Sequence, residues 1–84
     1  MRWAREVDAK TNVEQWILIG APSLERWIVY AVRAKSTRAN PAGELWRAMR
    51  GAEVLRLNQR VRSWRSRHAA MGGVEELVRL EARA

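Results

Sequence analysis

Few side chains in this chain could do covalent or metal chemistry. In 84 residues there is one histidine, His68, one aspartate, Asp8, and no cysteine. Thiol nucleophiles, zinc fingers and iron–sulfur sites are therefore excluded, and a metal cage or Ser-His-Asp site lacks the residues to build it. Glu75 and Glu76 are adjacent, so on a helix they point about 100° apart and form no acid/base pair. The glycines match neither GxGxxG nor GxxxxGK[ST]. His68 reads as a packed, hydrogen-bonded histidine near a helix end. The expectation is a non-enzyme with no cofactor.

The residue type that does accumulate is arginine. The chain has 16 Lys+Arg against 9 Asp+Glu, a formal net charge of +7. Fourteen of the basic residues are arginine, and residues 45–68 alone hold seven of them against Glu53. The planar guanidinium fork can bind two phosphate oxygens at once, so a poorly neutralised arginine stretch is a footprint for an anionic partner. The candidate nucleic-acid contacts are Arg47, Arg50, Arg56, Arg60, Arg62, Arg65 and Arg67. Trp64 lies among them, placed to stack on a base or to lie at a protein interface. Of the other tryptophans, Trp16, Trp27 and Trp46 read as core filler in a chain without phenylalanine, and Trp3 is less committed.

The elements expected to position these residues are helices. Asn12 and Gln15 suit the cap and capping box of a short helix over Val13 to Ile19. A second helix is expected from Pro22 or Ser23 to Lys35, with Leu24, Trp27, Ile28, Ala31 and Lys35 on one face. Strand competes here, because Trp16-Ile17-Leu18-Ile19 and Trp27-Ile28-Val29-Tyr30 are β-prone types. The 3.6-residue spacing through Lys35 favours helix. Asn40-Pro41 reads as N-cap and N1 of a third helix, closed by Gly51. Ala52 to Ala70 reads as the longest helix: Val54, Leu57, Val61, Trp64 and His68 form an apolar seam beside a stripe of Arg56, Arg60 and Arg67. Gly72-Gly73 then breaks the chain before a last helix, Val74 to Arg83. The fold class expected is all-α, one small domain over residues 1–84, a compact bundle of four or five short helices.

Leu24 to Arg50 reads LERWIVYAVRAKSTRANPAGELWRAMR. It resembles a segment near the C-terminus of some plasmid and phage replication initiators and DnaD-like primosomal proteins. There a helix and a basic connector precede Asn-Pro-Ala-Gly and a further helix. The matching residues are Asn40, Pro41, Ala42, Gly43, Leu45, Ala48, Met49 and Arg50. Glu44 departs from the aromatic or aliphatic residue usual there, and the winged-helix domain usual upstream has no counterpart. The resemblance covers about a third of the chain and implies DNA-associated work in replication, without catalytic residues.

The functional expectation is a small basic protein that binds nucleic acid, DNA ahead of RNA, through an arginine-rich helix. The alternative is a protein-interaction module, such as a phage-encoded inhibitor or assembly subunit, that docks the same face on an acidic protein. The seam predicts self-association as a homodimer. The longest apolar run, Trp16 to Pro22, is far below the ~20 residues of a membrane span, and the N-terminus lacks a signal-like apolar stretch, so cytoplasmic residence is expected.

Overall fold

The computed structural model describes residues 1–22 and 25–83, and it is built mainly of strands. In chain order they are β1 Arg2–Val7, β2 Glu14–Ile19, β3 Trp27–Arg33, β4 Glu44–Arg50, β5 Glu53–Val54, β6 Arg56–Leu57 and β7 Arg60–Val61. One helix, α1 Arg67–Arg83, follows. Strands β1 to β5 form an antiparallel sheet in sequence order, and β6 pairs with β7. The expected all-α bundle is thus corrected to a β-meander with a single helix laid across it.

Each corrected segment has a local reason. Val13 to Ile19 and the described part of Pro22 to Lys35 hold β2 and β3, while Ser23 and Leu24 lie outside the described residues. Their apolar runs look continuous because both faces of the sheet take apolar side chains. Trp16, Leu18, Trp27 and Val29 face α1, and Ile17 and Ile28 alternate to the other side. Asn40-Pro41 begins no helix. Asn40 and Thr37 exchange backbone hydrogen bonds of 3.1 Å, and the Asn40 side-chain amide donates to the Glu44 carbonyl at 3.0 Å. That turn delivers the chain into β4. Gly43 sits there at φ 62°, where an added Cβ would lie 2.9 Å from the Ala34 carbonyl oxygen.

The helix expected over Ala52 to Ala70 is mostly strand. β5 pairs with the end of β4, and Leu55 N–H extends the ladder to the Ala48 carbonyl at 2.8 Å. The chain then leaves the sheet as the β6–β7 hairpin. It rejoins at Trp64, whose N–H and C=O both bond Trp46, at 2.8 and 2.7 Å. The seam of Val54, Leu57, Val61, Trp64 and His68 therefore does not exist as one helix face. Only the last helix was placed in the right region, and it begins earlier, at Arg67. The Ser66 hydroxyl caps it by accepting Ala69 N–H at 3.1 Å. Gly72-Gly73 sits inside the helix rather than before it.

The core lies between α1 and one face of the sheet. Leu18, Trp27, Val29, Trp46 and Ala48 meet Ala70, Val74 and Val78, which recur every fourth residue along the helix. Burying a side chain of the Val or Leu class contributes roughly 1.5–3 kcal/mol, so these few contacts dominate the stability of a domain this small. Trp27 and Trp46 are buried, as expected of core filler, and Trp16 is partly exposed.

Candidate nucleic-acid interface

The hairpin is the most basic element of the fold. Arg56 pairs with Val61, Leu57 with Arg60, and Arg62 N–H bonds the Leu55 carbonyl at 2.9 Å. Only Asn58 and Gln59 remain to make the turn, at φ 51° and 66°. Two successive positive φ values are the mark of a type I′ turn, whose twist matches that of a two-stranded ribbon. Side chains alternate along such a ribbon, so Arg56 projects from one face while Arg60 and Arg62 project from the other. Arginine therefore flanks both sides of a tip made of two amide side chains.

Counter-ions separate the arginines into two groups. Among the described residues, the ion pairs fall on Arg5, Arg26, Arg50 and Arg67. Arg50 holds Glu25 at 2.6 Å and Glu81 at 2.7 Å, and its guanidinium lies 5.4 Å from the Trp27 ring centroid. Arg67 lies 4.2 Å over the Trp16 ring and 3.7 Å from Glu14. Both are thus engaged by carboxylates and an indole ring within the fold. Arg47, Arg56, Arg60, Arg62 and Arg65 have no carboxylate within 4.0 Å among the described residues. No acidic residue occurs between Glu53 and Glu75 in the chain.

The helical stripe of Arg56, Arg60 and Arg67 is replaced by this ribbon. Arg56 and Arg60 sit on opposite faces of the hairpin, and Arg67 opens α1. Arg62 stacks 5.2 Å from the Trp64 ring centroid. Trp64 is half-buried against α1, and its ring packs on the helix and under Arg62. Arg65 directs Nη1 toward the Ala39 carbonyl at 3.5 Å. Arg47 bonds the Ser63 hydroxyl at 3.3 Å, on the sheet face away from α1.

Sequence reasoning missed Asn58 and Gln59. The signal was the alternation Leu55-Arg56-Leu57 and Arg60-Val61-Arg62 around an Asn-initiated pair. It was masked because the second turn residue is glutamine where glycine is usual.

Glu14 organises the opposite edge. Trp16 Nε1–H donates to its carboxylate at 2.7 Å, and Arg5 and Arg67 lie beside it. The indole hydrogen bond, with the two guanidiniums, holds this carboxyl below its ordinary range, against an opposing push from partial burial. Among the described residues no group of His, Asp and Glu could hold a metal ion, and no helix is long and apolar enough to cross a membrane.

Comparison with protein-family models, curated proteins and solved structures finds no match to this chain.

Proposed function

We propose that the protein is a non-enzymatic DNA-binding module that uses the β6–β7 hairpin as a two-stranded ribbon in the major groove of duplex DNA. The observation that supports this best is the hairpin's uncompensated charge: Arg56, Arg60 and Arg62 on two faces of one ribbon, with no carboxylate partner among the described residues. The major groove of B-DNA is about 12 Å wide and admits such a ribbon. Arginines on opposite faces then point toward the two phosphate backbones that wall the groove. Neutralising those phosphates releases condensed counter-ions, which supplies affinity without sequence preference. The Asn58 and Gln59 amides at the tip are the groups of the right chemistry to meet base edges, adenine above all. Duplex RNA is disfavoured, because its major groove is too narrow and deep for side chains to read. The likeness of Leu24 to Arg50 to replication proteins adds no contact to this surface.

Fluorescence anisotropy of a labelled random-sequence duplex, titrated at several salt concentrations, tests the reading. Replacing Arg56, Arg60 and Arg62 by alanine should weaken binding and flatten the log K against log salt plot by ~2.7, about 0.9 per phosphate contact. A wild-type chain that binds no duplex at low salt would overturn the proposal and favour an acidic protein partner for the same arginines.

A further inference from the structure

The sheet has two faces, and α1 covers only one. On the other, the strand register aligns Ala4, Ile17, Ile28, Met49 and Val54 in one apolar row across all five strands. The next row is polar: Glu6, Gln15, Tyr30 and Arg47 face one another in turn, with Ser63 bonded to Arg47 at the far edge. Beyond it, Val32 pairs with Leu45. The described residues include no element lying over these rows. An antiparallel sheet leaves one face to water when that face is polar, and this one carries a full apolar row beside its polar one.

We propose that the uncovered face is a dimer interface, occupied by a second copy of this chain packed sheet on sheet. The argument is self-complementarity. β3 is the central strand of five. A two-fold axis parallel to β3 and between the sheets lays each row on its own reverse. Ile28 then meets Ile28 of the second copy, Ile17 meets its Met49, and small Ala4 meets its Val54. In the polar row, Arg47 of one copy comes over Gln15 of the other, one strand spacing of about 4.8 Å from Glu6. An arginine side chain spans that step, so the face's acid and its central base neutralise each other twice. The only ion pair that Glu6 has among the described residues is a 3.9 Å contact with Arg26 between two exposed side chains. An unrelated partner has no reason to match this pattern end for end.

Size sets the strength. Strands about 4.8 Å apart and six residues long cover roughly 400–500 Å² per copy, near the lower limit of about 1,000 Å² in total for a specific contact. The dimer is therefore weak and reversible. It leaves the hairpins free, one at each end of the sandwich, so it stands or falls independently of the DNA reading.

Sedimentation velocity of the full chain, from about 1 to 300 μM to bracket a micromolar dissociation constant, is the test. The expected result is a concentration-dependent monomer–dimer equilibrium. Ile28→Glu places two carboxylates in direct opposition on the axis and should weaken the dimer at least about tenfold. Leu80→Glu, on the exposed side of α1, should leave it unchanged. Glu6→Arg should also weaken the dimer, and Glu6→Arg with Arg47→Glu should restore it. These charge changes lie at exposed or half-exposed positions, so they decide the matter even if Ile28→Glu does not fold. A strict monomer throughout the range overturns the proposal. So does a dimer that the Glu6 reversal leaves intact, or one abolished by Leu80→Glu.

Discussion

A Cβ placed on Gly73 would lie 2.8 Å from Cζ2 of Trp64 and 3.1 Å from its Nε1. The helix and the returning strand meet at that point with no room for a methyl group. Trp64 bridges Trp46 through its backbone and carries Arg62 on its ring, so this contact also fixes the root of the hairpin.

The neighbouring glycine has open space around its missing side chain. Gly72→Ala should therefore stabilise the protein by up to about 1 kcal/mol, the ordinary gain in helix propensity. Gly73→Ala should destabilise it by about 1–3 kcal/mol despite the same gain, because overpacking a rigid ring costs more. Urea midpoints of the two variants, measured side by side, should move in opposite directions. Movement in the same direction would mean that α1 does not press its Gly73 face on Trp64.

The hairpin tip offers a second contrast. Gln59 holds φ 66°, a left-handed conformation that costs most L-residues about 1–2 kcal/mol and glycine almost nothing. Gln59→Gly should raise the stability of the hairpin by about 1 kcal/mol. If the amide at the tip meets base edges, the same variant should keep its salt slope and lose discrimination among duplexes of different sequence. Thermal denaturation and a competition assay with random and selected duplexes read the two effects separately.

Glu14 should make the fold acid-sensitive. Its carboxyl is held below the ordinary 4.5, first by the Trp16 indole hydrogen bond and then by Arg5 and Arg67. A depressed folded-state pKa stabilises the native state above the unfolded value, and that contribution fades as pH falls through the folded one. Wild type should thus be more stable than Glu14→Gln at pH 7, and the difference should shrink below pH 4.5. Chemical denaturation of both proteins across pH 3 to 7 checks the sign.

The strands were hidden by the very residues that make the sheet. In Trp16-Ile17-Leu18-Ile19, alternate side chains enter the α1 core and the open face, so no polar residue marks the period of two. Over residues 54–68, the apolar positions match a 3,4 helical spacing, but two of them, Leu57 and Val61, belong to a hairpin. Its Asn-Gln turn lacks the glycine that announces a type I′ loop. The helix over Val74 to Arg83 was readable because Val74, Leu77 and Val78 keep a 3.6 period and Arg83 suits its C-terminal end, whereas Leu80 turned out exposed and Glu75 lies mid-helix, since α1 starts at Arg67. The basic stretch itself was legible from composition. Which of its arginines are spoken for was not, because Glu25 and Glu81 reach Arg50 only through the folded chain.

That division among arginines yields a double dissociation. Arg50 bridges two carboxylates and stacks on the buried Trp27, whereas Arg60 stands on the hairpin with no ion-pair partner among the described residues. Exposed ion pairs are worth roughly 0–1 kcal/mol and a cation–π contact about 0.5–1, so Arg50→Ala should lower stability by about 1 kcal/mol. It should leave the salt slope of duplex binding unchanged, because Arg50 already has its anions. Arg60→Ala should do the reverse, flattening the slope by about 0.9 while the urea midpoint stays within error. Arg67→Ala should follow Arg50, since Glu14 and the Trp16 ring occupy it. An Arg50 variant that loses DNA affinity while keeping its stability would return that residue to the binding surface. An Arg60 variant with unchanged slope would remove the hairpin from it.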